Sequence, residues 1–132
     1  MRIRLFLLFF INFLLSTQII EKIDFHKNGT IKKEEHYLLI KGKKDILKVV
    51  YYYENGKIKS EQYYNNSKKN GPFISYHENQ QKYIVGKYNS GFKNGKWTEY
   101  DTDGWLKKIT TYKNGRPIKK VNFQEDTNFT DK

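Results

Sequence analysis

Four aromatic residues, Phe25, Tyr52, Tyr76 and Tyr100, each stand three positions ahead of an Asn or Asp, and they are spaced 27, 24 and 24 residues apart. Other positions recur with them. Asn28, Asn55, Asn79 and Asp103 lie at +3, and Tyr37, Tyr64, Tyr88 and Tyr112 lie at +12. A Gly follows at +4 in every unit but the third, which has Gln80. Self-similarity at such a period means one supersecondary unit copied along the chain, so the fold is restricted to an array in which each unit packs on its neighbours. The units fall near 25–51, 52–75, 76–99 and 100–118. The first is longer, with three extra residues between Tyr37 and Tyr52, around Lys41–Asp45.

Each unit reads as two short strands and two turns. Asn-Gly and Asp-Gly between aromatic or apolar runs mark tight turns, because these residues tolerate positive φ. Lys-Asn-Gly occurs at 27–29, 69–71, 93–95 and 113–115, with variants at 54–56 and 102–104. Structural turns are therefore expected at Asn28, Gly29, Asn55, Gly56, Gly71, Gly95, Asp103, Gly104 and Gly115. Runs such as Ile46–Tyr53, Ile58–Tyr64, Lys82–Tyr88 and Trp105–Tyr112 are rich in Tyr, Ile, Val and Thr, which suit a pleated surface. Turn signals every ~12 residues give an antiparallel meander of about nine strands between Lys22 and Phe123. No helical periodicity appears after Ile20.

The predicted fold is all-β: an elongated antiparallel β-meander of ~24-residue hairpin repeats behind an N-terminal hydrophobic helix. The sheet should be thin, with aromatic rows rather than a deep core. Ile58, Ser60, Gln62 and Tyr64 should share a face, as should Ile84, Gly86 and Tyr88. Trp97 and Tyr100 are three apart and should point to opposite faces. Strand edges near Asp24–His26 and Val121–Phe123 are open to pairing.

Arg2 and Arg4 precede Leu5–Leu15, an apolar run interrupted by Asn12. A stable bilayer span needs about 20 apolar residues, so this run is short. A basic start and a short apolar stretch have the shape of a secretory signal. Residues 1–20 read as a signal peptide or uncleaved N-terminal anchor, with a buried structural segment as the remaining alternative. Residues 21–123 form the array, and 124–132 read as a flexible tail. Export would place the chain in the periplasm, cell envelope or extracellular space, or anchor it in the inner membrane.

Composition closes off several chemistries. The absence of Cys excludes disulfides, thiolate metal sites and a Cys nucleophile. His26, His36 and His77 sit beside repeat aromatics and read as solvated strand residues. Asp101-Thr102-Asp103-Gly104 imitates part of a calcium loop but lacks its later acidic ligands, so turn chemistry explains it. No spacing suggests a nucleophile–base set. The expectation is no enzyme, no metal, no cofactor and no small-molecule substrate. The net charge of +11 is spread over many turns, with the densest basic cluster at Lys107, Lys108, Arg116, Lys119 and Lys120. Such charge reads first as a solvated surface whose lysines discourage edge pairing, and second as attraction to an anionic membrane or host surface; nucleic acid is disfavoured for an exported chain.

Aromatic-x-x-Asn-Gly-x-apolar, with Tyr at +12 and then Lys-Asn-Gly-Lys-Trp leading to the next Tyr, resembles the MORN-variant repeat family, which includes YwqK-type antitoxin proteins. Residues 52–61 and 88–100 carry the resemblance best, and it extends over about 25–118. It implies stacked hairpins and a binding or scaffolding role without catalytic residues. The aromatic face expected to meet a protein partner comprises Tyr52, Tyr64, Tyr76, Tyr88, Trp97, Tyr100, Trp105 and Tyr112. The expected function is an exported, non-enzymatic protein-interaction or scaffold module at the bacterial envelope or surface. Alternatives are an electrostatic binder of an anionic surface and an antitoxin-like protein.

Overall fold

The computed structural model describes residues 19–123, so most of the expected signal segment and the tail at 124–132 lie outside the described residues. Nine strands form one sheet in strict chain order: β1 (Ile19–Phe25), β2 (Ile31–Ile40), β3 (Lys43–Tyr52), β4 (Ile58–Asn65), β5 (Lys68–Tyr76), β6 (Lys82–Asn89), β7 (Phe92–Tyr100), β8 (Leu106–Lys113) and β9 (Arg116–Asn122). Every neighbouring pair is antiparallel. This is the predicted meander. The three extra residues of the first unit lengthen β2 and β3 to ten residues each, against eight and nine in β4 and β5.

Two kinds of linker alternate. Five-residue loops follow β1, β3, β5 and β7, and they hold Asn28-Gly29, Asn55-Gly56, Asn79-Gln80 and Asp103-Gly104. Two-residue turns follow β2, β4, β6 and β8: Lys41-Gly42, Asn66-Ser67, Ser90-Gly91 and Asn114-Gly115. All eight turn residues have positive φ, from 47° to 92°, which is the hairpin geometry matched to strand twist. Gly115 is thus a turn residue as expected.

Gly71 and Gly95 are not. Both lie inside strands, β5 and β7, at φ 96° and 71°. The reversal has already been made four residues earlier, by Asn66-Ser67 and Ser90-Gly91. Between β4 and β5 the register passes from Gln62↔Phe73 to Tyr64↔Lys69, so Asn70, Gly71 and Pro72 oppose Tyr63 alone. Between β6 and β7 it passes from Val85↔Thr98 to Lys87↔Asn94, so Gly95, Lys96 and Trp97 oppose Gly86 alone. The two glycines supply the left-handed residue that these wide bulges need.

A smaller bulge recurs before each long loop. One extra residue, Lys32, Lys59, Tyr83 or Lys107, lies opposite the step into Phe25, Tyr52, Tyr76 or Tyr100. It moves Ile58 across from Tyr52 and out of the row of Ser60, Gln62 and Tyr64, correcting the expected four-residue face. Ile84, Gly86 and Tyr88 do share a face, and Trp97 and Tyr100 point to opposite ones.

The register defines two faces. The aliphatic face carries Ile23, Val50, Ile74, Val85, Ile109 and Val121, with Phe25, Tyr52, Tyr76 and Tyr100 at its long-loop end. The aromatic face carries Tyr64, Phe73, Tyr88, Trp97 and Tyr112. Val49 and Val50 are adjacent, hence on opposite faces, and both are buried. With all nine strands in one sheet, same-face neighbours provide that cover.

The long loops stack into a hydrogen-bonded spine. In each, the first N–H donates to the carbonyl of the fifth residue: His26 to Thr30, Tyr53 to Lys57, His77 to Gln81, Asp101 to Trp105, at 2.8–3.0 Å. Side chains then reach the next loop. His26 Nε2 donates to the Tyr52 carbonyl and His77 Nε2 to the Tyr100 carbonyl, each at 3.1 Å. Tyr53 Oη donates to the Tyr76 carbonyl at 2.6 Å. Asn28 and Asn79 donate two positions further on, to the Glu54 and Thr102 carbonyls. A carbonyl only accepts, so each imidazole carries its proton on Nε2. His26 and His77 are therefore loop residues that tie repeats together, not solvated strand residues. Asp101 ends the spine: its Oδ1 accepts from the N–H groups of Asp103 and Trp105, within its own loop. That is the turn chemistry expected in place of a calcium loop.

Candidate binding surfaces

The aromatic face is organised by what Gly86 lacks. A Cβ there would sit 2.3–2.7 Å from three atoms of the Trp97 indole. The indole occupies that space, against the β6 backbone. Phe73 stacks on it with ring centroids 5.5 Å apart, Tyr88 meets it edge-on at 4.9 Å, and Tyr112 at 6.1 Å. Lys93 Nζ lies 4.3 Å from the indole centroid and 5.1 Å from that of Tyr112. Lys69 Nζ lies 5.1 Å from the centroid of Tyr88. Each contact is within cation–π range.

Trp97 is consequently 5% exposed and belongs to the core. The expectation that it is presented to a partner is corrected: across the bulge at Gly95 the indole covers Gly86, and its Nε1 is buried with no hydrogen-bond partner among the described residues. The other seven aromatics do not form one face either. Tyr64, Tyr88 and Tyr112 share the aromatic face with Trp97, while Tyr52, Tyr76 and Tyr100 lie on the aliphatic face. Tyr52 Oη donates to Glu34 Oε2 at 2.8 Å. Burial first, and that bond second, push the Tyr52 phenol well above the ordinary tyrosine range. Trp105 occupies the fifth position of the last long loop, 70% exposed. It is the one tryptophan available as an anchor.

The basic cluster also disperses. Lys108 is paired with Glu99, and Lys107 lies 4.0 Å from the same carboxylate. Lys119 pairs with Thr111 and Lys120 with Thr110 across β8, so consecutive lysines of β9 point to opposite faces. Arg116 stands at the last tight turn. Strand alternation separates what sequence proximity suggested.

In the middle of β2, Glu35 accepts from Lys33 at 2.8 Å and also from Lys44. The hydrogen bond from Lys33, then that from Lys44, holds its carboxyl down at about 2 against an ordinary 4.5. A depressed carboxyl stabilises the fold above its unfolded pKa and loses that effect as pH falls through the folded one. Glu35→Gln should therefore remove part of the acid sensitivity between about pH 4.5 and 2. Urea midpoints at pH 6 and pH 3 measure it: the wild type should drop further than the variant.

At the far end, the aliphatic face holds a depression of about 180 Å³ lined by Lys96, Ile109, Thr111, Lys119, Val121 and Phe123. It runs beside β9, whose residues are all exposed and whose outer edge is unpaired among the described residues. The floor is apolar and two ammonium groups rim it. No cluster of three or more His, Cys, Asp or Glu that could hold a metal occurs among the described residues.

These features are a sheet built from a repeated hairpin unit, with its aromatic and aliphatic side chains sorted onto two faces. The family model for the MORN repeat variant matches residues 47–66 and 93–114, and the chain carries repeats of that family at both places. The first match spans most of β3, the loop and β4; the second spans β7, the loop and β8. No curated protein and no solved structure matches the chain. The family is one of repeats generally involved in protein or membrane binding.

Proposed function

We propose that this chain is a non-enzymatic protein-interaction module of the bacterial envelope or surface, which captures an extended segment of a partner along β9. The supporting observation is the open β9 edge lying beside the apolar, lysine-rimmed depression. An exposed edge offers backbone donors and acceptors to an added strand, and side-chain pockets supply specificity. Arg116, Lys119 and Lys120 on β9 repel a like-charged edge, and Pro117 removes a donor. They favour a partner strand that alternates apolar and acidic residues. The basic, apolar leader Arg2–Leu15 supports export.

The test is an NMR titration of the full chain with a synthetic peptide alternating Asp/Glu with Val/Ile, against a Lys-bearing peptide of the same pattern. The acidic peptide should shift β9 amides and gain protection there; Val121→Asp with Lys119→Glu should abolish this. Binding of both peptides alike, or shifts away from β9, contradicts the reading.

A second reading, adhesion to an anionic surface, draws on the net charge of +11. Retention on phosphatidylglycerol vesicles that collapses with added salt supports it, since screened contacts weaken. Salt-independent retention, or none, removes it.

A further inference from the structure

The aromatic face carries an arrangement that the β9 reading does not use. Across five consecutive strands, near the two-residue turns, stand Tyr64 on β4, Lys69 on β5, Tyr88 on β6, Lys93 on β7 and Tyr112 on β8. Tyr64 pairs with Lys69, and Tyr88 with Lys93, so the order along the row is fixed by register. Burial raises the pKa of the Tyr64 and Tyr88 phenols. None of the three phenols donates to another described residue. Lys69 and Lys93 have no carboxylate within salt-bridge distance among the described residues, unlike Lys44, Lys48 and Lys108.

The two ammonium groups are also held in place. Lys69 lies over Tyr88, and Lys93 over both Trp97 and Tyr112. Ring contact reduces the freedom a lysine ordinarily keeps, which lowers the entropy lost on binding an anion. Neutral hydroxyls and fixed cations thus alternate along a diagonal, because Tyr88 lies opposite Gly71 and Tyr112 opposite Gly95, two residues from the lysines. Adjacent strands are about 4.8 Å apart and a two-residue step is up to about 6.7 Å, so the two lysine backbones stand roughly 10–12 Å apart.

That spacing selects among polyanions. Phosphates along one strand of a nucleic acid recur at about 3.4 Å of helix axis, and same-side carboxylates of an extended peptide at about 6.7 Å. An extended, β-linked glycan with one uronic acid in every disaccharide places its carboxylates near the lysine interval. Its intervening neutral sugars offer hydroxyls where this row offers phenols. We propose that Tyr64, Lys69, Tyr88, Lys93 and Tyr112 form a binding track for an acidic polysaccharide with one carboxylate per disaccharide. The track lies on the face opposite the β9 depression, so the two proposals fail separately.

The experiment is calorimetry of the full chain with a hyaluronan octasaccharide. The comparison ligands are an oligothymidylate of equal charge, neutral cellohexaose and phosphatidylglycerol vesicles, all at one salt concentration. Hyaluronan should bind tightest and cellohexaose not at all. Lys69→Gln with Lys93→Gln should weaken it by about 100-fold, since each charge-assisted contact is worth about tenfold or more. Lys69→Arg with Lys93→Arg keeps charge and ring stacking and should retain binding, which separates loss of charge from loss of fold. Circular dichroism of all variants checks the sheet. No hyaluronan binding, equal or tighter binding of oligothymidylate or vesicles, or indifference to the Gln pair would overturn the proposal.

Discussion

Trp97→Ala should cost about 3–5 kcal/mol, the range for truncating a buried large aromatic. The indole is the contact shared by Phe73, Tyr88, Tyr112 and Lys93, and it is the most buried aromatic of the sheet. A domain of this kind has roughly 5–15 kcal/mol in total, so the loss is a large share of it. In a repeat array each unit depends on its neighbours, so units three and four should melt before the rest. Urea unfolding followed by circular dichroism should show a lowered midpoint with an early phase. Trp97→Phe should cost much less: Phe73, 24 residues earlier, meets Tyr88 edge-on as Trp97 meets Tyr112, and the buried indole N–H disappears. A midpoint unchanged in Trp97→Ala would mean the indole is exposed.

Gly86→Ala should be nearly as damaging despite adding a single methyl. Its Cβ would meet the indole at 2.3 Å, against backbone that cannot recede, so Trp97 must leave its place. Overpacking of this kind costs about 1–3 kcal/mol, with loss of the stacking added. The decisive version is a double-mutant cycle. In a Trp97→Ala background the same Gly86→Ala change should be close to neutral, because the space is vacant and Ala restricts the unfolded chain. Contacting residues show coupling of about 0.5–3 kcal/mol. Additive effects in the cycle would deny that the two positions meet.

Most of the fold was legible because the repeat fixes it. Asn28-Gly29, Asn55-Gly56 and Asp103-Gly104 mark real loops, and nine strands lie where β-rich runs predict them. What misled was a single motif used twice. Lys-Asn-Gly builds a turn at 113–115 but a bulge at 69–71 and 93–95. The discriminating signal was upstream: Asn66-Ser67 and Ser90-Gly91 already close those hairpins, four residues earlier. Each of these bulges adds two residues and so keeps the parity, whereas the one-residue bulges before the long loops move side chains between faces. Strand alternation divides the eight aromatics, and the space left by Gly86 takes in Trp97. The spine is legible only afterwards: His26, Tyr53 and His77 share a repeat position because each donates to a carbonyl one repeat on.

The ribbon itself is best tested by cross-strand NOEs in the full chain. The account predicts an uninterrupted row of contacts running Lys33, Tyr51, Ser60, Ser75, Ile84, Glu99, Lys108, with none between β1 and β9. A gap in that row, or contacts joining β1 to β9 as in a closed barrel, would contradict it.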